Sequence, residues 1–189
     1  MALTQTVRMS EQEYREFALG AGDGQWELVR GQLREKPWLC VEHSDVTMNL
    51  VEQLLRQLDR NEFRVRSNLG RLRVSADTYH VPDVAVIPAA LVQLLRTNPR
   101  SLDAYSDPLP LVVEIWSPST GNYDICVKLE DYLRRGDREI WRIHPYERTL
   151  TTWVRKPDGS YAEKVYRGGA VASTALPGVI IDIDALVAP

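Results

Sequence analysis

The chain has 189 residues, of which 44% are hydrophobic and 26% charged, so it is long enough for a buried core and has the composition of an ordinary globular protein. Its net charge of −3 argues against a surface coated with positive charge for non-specific nucleic-acid binding, although a local basic face remains open. Neither an apolar run of about 18 residues nor a basic-then-apolar N-terminus is present, so no membrane span or secretory signal is predicted, and we expect one cytoplasmic domain over residues 1–189.

The first predicted elements are a short helix and a β-hairpin. The stretch from Ser10 to Glu13 is a capping box, and glycines follow soon afterwards, so residues 10–19 should form the helix. Residues 26–29 (WELV) and 32–35 (QLRE) are typical of strands, and the Arg-Gly pair between them is typical of a turn. The N-terminal part of the chain is therefore predicted to form a helix followed by a hairpin.

A long helix and a second hairpin are predicted next. Apolar residues recur at helical spacing over residues 42–60, which makes this the longest helix. Residues 63–66 and 71–74 alternate with period two and flank a turn, so we expect a hairpin with its arginines on one face. That face could contact phosphates, and a solvated edge that resists strand pairing explains it equally well. The arginines are Arg64, Arg66, Arg71 and Arg73.

The centre of the chain predicts two buried strands and a helix. Residues 84–87 (VAVI) and 111–116 (LVVEIW) are short apolar runs with prolines nearby. Residues 88–110 contain four prolines and one short apolar cluster, so we expect mostly loop there. A helix is predicted over residues 121–135, where Gly136 ends it. The remaining predicted strands span residues 139–144, 150–155, 162–166 and 179–183.

Cysteines and lysines are both scarce. Cys40 and Cys126 are isolated and lack the paired spacing of a zinc site or a disulfide framework, which leaves a single bridge between them as an open alternative. Most of the 23 basic residues are arginines, so each lysine is worth inspecting for a specific role. The lysines are Lys36, Lys128, Lys156 and Lys164.

Two acidic residues in or beside the buried strands are candidates for a metal site. Glu114 lies in the middle of an apolar strand, where an ionised carboxylate is costly unless it is paired, hydrogen-bonded or bound to a cation. Asp83 directly precedes the other apolar strand, and the two carboxylates converge if these strands are neighbours in the sheet. Carboxylate oxygens with room for water suit Mg²⁺ or Mn²⁺.

The helix after the Glu114 strand supplies a cation. Asp124, Lys128 and Tyr132 recur at i, i+4 and i+8, so they fall along one face of this helix. An ammonium beside the water of a metal site can orient the water or stabilise the charge that grows on a scissile phosphate. These groups together predict metal-dependent hydrolysis of a phosphodiester.

A purely structural alternative has equal weight at this point. In it, Glu114 is neutralised by Lys128 or Arg142, and Asp83 only caps a turn. Structural ion pairs perturb buried carboxylates as metals do, so these residues alone do not decide between the two interpretations.

Several stretches resemble the PD-(D/E)XK nuclease superfamily, and more closely its bacterial Uma-two family of restriction-endonuclease-like proteins. They are residues 26–31 (WELVRG), 42–44 (EHS), 81–86 (VPDVAV), 113–120 (VEIWSPST), 123–124 (YD) and 139–141 (EIW), together with Lys128 and Tyr132. The Ser-Pro-Ser-Thr run after the glutamate strand is the most specific of them, and the resemblance spans most of the chain.

The resemblance implies a fold and an activity. The implied fold is α/β with a restriction-endonuclease-like core, in which helices flank a central mixed β-sheet, and with N-terminal and C-terminal β-hairpins. The implied activity is an endonuclease that acts on DNA with Mg²⁺ or Mn²⁺, and its metal ligands would be Asp83 and Glu114.

The resemblance also implies roles for three further residues. The superfamily usually places its lysine two residues after the glutamate, where this chain has Trp116, whereas the Uma-two pattern has it on the following helix. Lys128 matches that position and would orient the attacking water. Glu27 would be a further acidic contributor to the metal site, and His43 would lie nearby at the start of the long helix.

Other interpretations of the auxiliary residues stay open. A lone histidine such as His43 is more often a hydrogen-bonding residue at a helix start, and Glu27 fits an exposed strand position. Gln32 and His144 stand where the family commonly has acidic residues, and either difference could reduce activity.

Two functional hypotheses follow. The first is a Mg²⁺-dependent endonuclease that acts on DNA, and the second is a catalytically silent nucleic-acid-binding or self-assembling module with the same fold. By analogy with superfamily nucleases we expect a homodimer or a higher homo-oligomer. No base-reading motif is present, so the sequence does not define a target.

Overall fold

The structure is a computed structural model that describes residues 8–20, 25–37, 40–98 and 100–188. The helices in these ranges are α1 (Glu11–Gly20), α2 (Val41–Gln57), α3 (Ala89–Arg96), α4 (Gly121–Tyr123), α5 (Leu129–Arg135) and α6 (Ile183–Leu186), and a π-helical turn over Asp124–Lys128 joins α4 to α5. The strands are β1 (Trp26–Val29), β2 (Gln32–Glu35), β3 (Phe63–Ser67), β4 (Arg71–Ser75), β5 (Thr78–His80), β6 (Val84–Pro88), β7 (Ala104–Tyr105), β8 (Leu111–Ile115), β9 (Glu139–His144), β10 (Thr149–Arg155), β11 (Tyr161–Tyr166), β12 (Ala170–Ala172) and β13 (Ile180–Asp182). Across the described ranges, none of these helices has the length and apolar character that a membrane crossing requires.

A mixed six-stranded sheet forms the centre of the molecule, in the order β11-β10-β9-β8-β6-β3. Only β8 and β9 run parallel, and the other neighbours are antiparallel. Every residue of β8 is buried, because the sheet is covered on both faces. Alternation along β8 sends Leu111, Val113 and Ile115 to one face and Val112 to the other. Glu114 therefore shares the face of Val112.

Helices cover the two faces of the central sheet. On one face, α2 contributes Val46, Leu50 and Leu54 to a core that also contains residues of β13 and α6. On the other face, Val92 of α3 and Tyr132 of α5 pack over the sheet. The predicted α/β class, with a mixed sheet flanked by helices, is confirmed.

A second sheet of five strands, in the order β2-β1-β5-β4-β7, carries α1. Tyr14 of α1 packs against Leu28 and Tyr79 in a separate core cluster. The capping box forms as predicted, since the amide and hydroxyl of Ser10 both donate to Glu13 at 2.7 Å. The first helix and the β1-β2 hairpin are confirmed, whereas Gly22, which was expected to help end this helix, lies outside the described residues.

The predicted second hairpin is wrong. Its two strands, β3 and β4, lie in different sheets: β3 pairs with β6, and β4 pairs with β5 and β7. The reason is burial, because Phe63 and Val65 pack against the core under α2 while Leu72 packs in the core on the opposite face. The alternating pattern identified both strands but not their partners.

The expected shared face of arginines is wrong for the same reason. Arg66 pairs with Asp103 at 2.9 Å, and Arg73 pairs with Glu11 at 2.9 Å. These two guanidinium groups therefore bind different acidic side chains, and the strands that carry them belong to different sheets.

The segment from 88 to 110 is about half loop, since 11 of its 22 described residues lie outside helices and strands, but it also forms a helix that was not predicted. It contains α3, in which Ala89 and Val92 are buried, and the short strand β7. The prolines of this segment flank α3 rather than interrupt it, so the helix forms from the Ala and Leu residues between Pro88 and Pro99. Pro99 itself lies outside the described residues.

The predicted helix over residues 121–135 forms with one irregularity. The amide of Leu129 donates to the carbonyl of Asp124, which is the i to i+5 bond of a π-helix. Gly136 ends the helix in the left-handed conformation with φ of 82°. Cys126 lies in the π-helical turn, and both it and Cys40 are free thiols.

Candidate active site

Asp83 directly precedes β6, and β6 pairs with β8, so the condition under which Asp83 and Glu114 were expected to converge is met. Its Oδ2 accepts the Ile115 amide at 2.7 Å and lies 3.0 Å from His43 Nε2. Its Oδ1 accepts Lys36 Nζ at 2.9 Å. Burial alone would raise the pKa of Asp83, but the Lys36 ammonium and the His43 hydrogen bond hold that pKa well below its usual range. Asp83 is therefore ionised and fixed on both oxygens.

Glu114 lies in β8 and is also buried. The Tyr132 hydroxyl donates to its Oε1 at 2.6 Å, and Lys128 Nζ lies 3.2 Å from the same oxygen. Burial raises the pKa of Glu114 to about 8 against the lowering effect of Lys128, and the charges of Asp124 and Asp83 add to the rise. A nearby positive charge would stabilise the ionised form of Glu114.

Lys128 connects three acidic side chains. Its Nζ lies 3.0 Å from Glu27 Oε1, 3.2 Å from Glu114 Oε1 and 3.6 Å from Asp124 Oδ1. Burial would lower the pKa of Lys128, but these carboxylates raise it well above its ordinary value, so the ammonium stays charged. Asp124, Lys128 and Tyr132 were expected to lie along one face of the helix, and they do so despite the π-helical turn. Lys128 and Tyr132 both contact Glu114, and Asp124 contacts Lys128.

Glu27 lies on β1 and is 1% exposed, so the interpretation as an exposed strand position is wrong. Its Oε1 accepts the Val81 amide at 2.8 Å besides contacting Lys128. Burial opposes ionisation, but the Lys128 ammonium lowers the pKa of Glu27 below its ordinary value. His43 lies at the start of α2, where its Nδ1 is 3.4 Å from the Thr47 hydroxyl. His43 therefore links α2 to Asp83.

Lys36 was not predicted as part of this group. It follows β2, and besides Asp83 its ammonium donates to the Val81 carbonyl at 2.9 Å and to Asn68 Oδ1 at 2.8 Å. The signal in the sequence was the scarcity of lysine, which selected Lys36 for inspection without locating it. Its partners are more than thirty positions away in the chain, so no local pattern could reveal them.

All five predicted site residues line one pocket of about 320 Å³, a volume that includes space at its open mouth. Of the residues that the structure describes, the buried ionised or ionisable groups in its wall include four carboxylates and two lysines. They are Glu27, Asp83, Glu114, Asp124, Lys36 and Lys128. The pKa of Asp124, like that of Glu114, is raised chiefly by burial. An added cation in this pocket would therefore favour the ionised forms of these two carboxylates.

Arg34 also lines this pocket. Its guanidinium carbon lies 3.3 Å from the centre of the Tyr123 ring, and the Tyr123 hydroxyl lies 3.4 Å from Glu27 Oε2. Arg142, the arginine proposed as an alternative partner of Glu114, is its neighbour in register on β9. Within the described part of the chain, Arg142 forms no salt bridge with Glu114 and its Nε has no hydrogen-bond partner.

Two other residues singled out in the sequence lie apart from the carboxylates. Gln32 is exposed on β2, and His144 stacks on Trp116 with ring centres 4.2 Å apart. Within the described ranges, no three His, Cys, Asp or Glu side chains are close enough together to hold a metal ion by themselves. A metal at this pocket would have to complete its ligand shell with water or substrate oxygens.

The fold and this pocket define the class of the protein. The mixed sheet is flanked by helices, and it carries Glu114 on one central strand and Asp83 directly before the neighbouring strand, as expected for a restriction-endonuclease-like protein. The model of the family described as "Uma2: Putative restriction endonuclease" matches residues 11–184, and the chain belongs to this family.

One solved structure similar to this one is described as a putative nuclease belonging to DUF820 from Anabaena variabilis ATCC 29413. The two share 17% sequence identity with a TM-score of 0.74, and the alignment covers 95% of this chain and 97% of that chain. At this identity the likeness shows the fold. No curated protein matches the chain.

Proposed function

We propose that this protein is a Mg²⁺- or Mn²⁺-dependent endonuclease that hydrolyses phosphodiester bonds of DNA. The observation that carries the proposal is the convergence of Asp83, Glu114 and Lys128 on one pocket from three separate segments of the chain. Membership of the Uma2 family supports the same reaction class. Asp83, Glu114 and Lys128 are the catalytic residues of the proposal, with Glu27 and His43 as their supports.

The donor chemistry of the pocket fits a divalent ion. Mg²⁺ is usually held by one or two carboxylates, with water and phosphate oxygens as its other ligands, and Asp83 and Glu114 provide two. The ion would also favour the ionised form of Glu114, whose pKa burial raises to about 8. Bound there, it would supply Lewis-acid polarisation of the scissile phosphate.

The protein's own groups would act around that ion. Lys128 stays charged and would orient the attacking water with its ammonium, while Glu27 and Glu114 hold the ammonium in place. His43 would keep Asp83 Oδ2 in a fixed orientation through the 3.0 Å contact. Tyr132 would do the same for Glu114 Oε1.

A catalytically silent nucleic-acid-binding or self-assembling module is the second candidate, and one observation favours it. Both oxygens of Asp83 already accept hydrogen bonds from the protein, and Lys128 is surrounded by carboxylates. The pocket is thus internally neutralised to a large degree. A protein that kept the fold for binding alone would tolerate such an arrangement.

Cleavage of supercoiled and single-stranded DNA in the presence of Mg²⁺ or Mn²⁺ separates the two candidates. The comparison uses the native protein, Asp83→Ala, Lys128→Ala and the exposed control Lys156→Ala, each checked for folding by circular dichroism. Metal-dependent cutting that is lost in the two pocket variants and retained in the control supports the enzyme. If cutting is equal in all four proteins, it does not come from this pocket.

Calorimetric titration with Mn²⁺ gives a readout that does not depend on the choice of DNA. Binding that disappears in Asp83→Ala supports the metal site, whereas the absence of binding to the native protein favours the silent module. The expected homodimer is part of this proposal as well. Size-exclusion chromatography with light scattering tests it, and a monomer at micromolar concentration would contradict it.

A further inference from the structure

The ammonium of Lys36 lies in a cage of three oxygen atoms. Its Nζ donates to Asp83 Oδ1 and the Val81 carbonyl, both at 2.9 Å, and to the Asn68 side-chain oxygen at 2.8 Å. An ammonium has three N–H donors, so this cage satisfies all of them. Only 7% of the Lys36 side chain is exposed, so the group is held inside the protein.

The cage is fixed by the bend that follows β3. Asn68 has a φ of 54°, a left-handed conformation that asparagine tolerates better than most residues. In this conformation the backbone N–H of Asn68 donates to the backbone carbonyl of Asp83 at 3.0 Å, while the side-chain oxygen of Asn68 accepts from Lys36. Asn68 therefore holds both the backbone of Asp83 and the lysine that binds its carboxylate.

Asp83 has little capacity left for another cation. A carboxylate offers about four lone-pair sites. Two on Oδ2 face the Ile115 amide and His43, and one on Oδ1 faces Lys36. An ion that binds Asp83 must therefore approach Oδ1, which is the oxygen that Lys36 contacts.

A carboxylate, a carbonyl and an amide oxygen are also the ligands that hard metal ions prefer. We propose that Lys36 is a built-in cation that competes with the divalent metal ion for Asp83, so that the metal ion binds only by displacing the ammonium or by sharing Oδ1 with it. This inference rests on the proposed function, because it takes Asp83 as a metal ligand. A positive charge that shares a buried oxygen with a second cation repels it strongly, since the surroundings screen the charges poorly.

Mn²⁺ titration calorimetry on Lys36→Met tests the competition. Methionine has a similar length and no charge, so Mn²⁺ should bind Lys36→Met about tenfold more tightly than it binds the native protein. Lys156→Met is the matched control, because Lys156 is exposed and outside the pocket, and its affinity should equal the native value. Asp83→Asn establishes whether the measured binding uses Asp83.

Asn68→Gly provides a second variant that keeps both charges. Glycine accepts the left-handed backbone conformation, and the loss of the Asn68 side chain removes one of the three oxygen atoms around the Lys36 ammonium. Lys36 should therefore be held less firmly, and Mn²⁺ should bind several-fold more tightly. This variant decides the question if Lys36→Met does not fold. Asn68→Ala is not suitable, because alanine would strain the backbone as well.

The outcomes separate this inference from the proposed function. If Mn²⁺ binding to the native protein needs Asp83 but is equal or weaker in Lys36→Met and Asn68→Gly, the competition is wrong and the metal site stands. If neither the native protein nor the variants bind Mn²⁺, both proposals are overturned. Tighter binding in the folded variants, with no change in Lys156→Met, supports the competition.

Discussion

His80 Nε2 lies 2.7 Å from Asp131 Oδ2, and both side chains are buried. This pair joins the end of β5 to α5 beside the candidate active site. Val81 follows His80 and donates its amide to Glu27, while Lys128 lies three residues before Asp131. The pair therefore fixes the distance between the two segments that meet at the Lys128 ammonium.

Replacement of Asp131 by alanine should destabilise the protein. His80 Nδ1 has no hydrogen-bond partner in the described residues, so the loss of Asp131 would leave a buried ring with neither nitrogen satisfied. The expected decrease in the free energy of unfolding is about 1–3 kcal/mol. Urea denaturation measures it, and Glu130→Ala is the control because Glu130 is exposed on the same helix. Equal stability of the two variants would contradict the role assigned to the pair.

The lowered pKa of Glu11 predicts that the free energy of unfolding decreases at acid pH. Its carboxylate binds Arg73 through two contacts of 2.9 and 3.0 Å, and chiefly this interaction lowers the pKa of Glu11 from 4.5 to about 2. Because the pKa is lower in the folded state, the stabilisation is complete above pH 4.5 and is lost as the pH falls towards 2. The pair is partly solvated, so Glu11→Gln should lower the free energy of unfolding at pH 7 by only about 1 kcal/mol.

The measurement is urea denaturation at pH values from 7 down to 3. The difference between the native protein and Glu11→Gln should shrink as the pH falls below 4.5. Glu16→Gln is the control, because Glu16 is exposed on the same helix and its carboxylate contacts Gln12 instead of an arginine. A difference that stays constant over the whole pH range would show that the lost stability is not electrostatic.

Local patterns predicted the elements better than their partners. The apolar runs located β6 and β8, and their adjacency brought Asp83 and Glu114 to one pocket as expected. The alternation in β3 and β4 had no information about which sheet each strand joins, because that depends on which core buries Val65 and Leu72. The period-two alternation of apolar and polar residues therefore suggested a hairpin that does not form.

Lys36 was missed for the same reason, because local sequence patterns do not identify distant partners. Lys36 reaches Asp83 across 47 positions of the chain, and its other partners lie in a bend and in a loop rather than in a periodic element. The resemblance to a nuclease family supplied Glu27 and His43, which the residues alone left without a role. A contact that depends on tertiary packing becomes visible only when the sheets are assembled.

The start of α4 requires a residue without a Cβ atom at position 121. A Cβ atom at this position would clash with Trp116 Nε1, so Gly121→Ala must displace the indole or the helix start. The expected loss of stability is about 1–3 kcal/mol, as for other overpacked sites. Because Asp124 and Lys128 follow on the same segment, the proposed metal site should also bind Mn²⁺ more weakly in this variant.

Urea denaturation and Mn²⁺ calorimetry measure both effects of Gly121→Ala. Gly20→Ala is the matched control, since a Cβ atom on Gly20 meets nothing within 4 Å. If the two variants are equally stable, the close packing of Gly121 against Trp116 is not required by the fold.

Tyr132→Phe isolates the hydrogen bond to Glu114. The hydroxyl donates to Glu114 Oε1 at 2.6 Å in a buried environment, and phenylalanine preserves the rest of the side chain. Loss of a bond to a charged or partly charged acceptor should lower the free energy of unfolding by about 1–3 kcal/mol. In the proposed enzyme, Glu114 would also be free to turn away from the metal ion, so kcat should decrease.

Urea denaturation and DNA cleavage together distinguish a structural role of Tyr132 from a positioning role. Tyr166→Phe is the control, because Tyr166 is partly exposed on β11 at the edge of the central sheet. A positioning role predicts that Tyr132→Phe lowers kcat at temperatures where both variants are fully folded. If its activity matches that of Tyr166→Phe under those conditions, the hydroxyl stabilises the core without orienting Glu114 for the reaction.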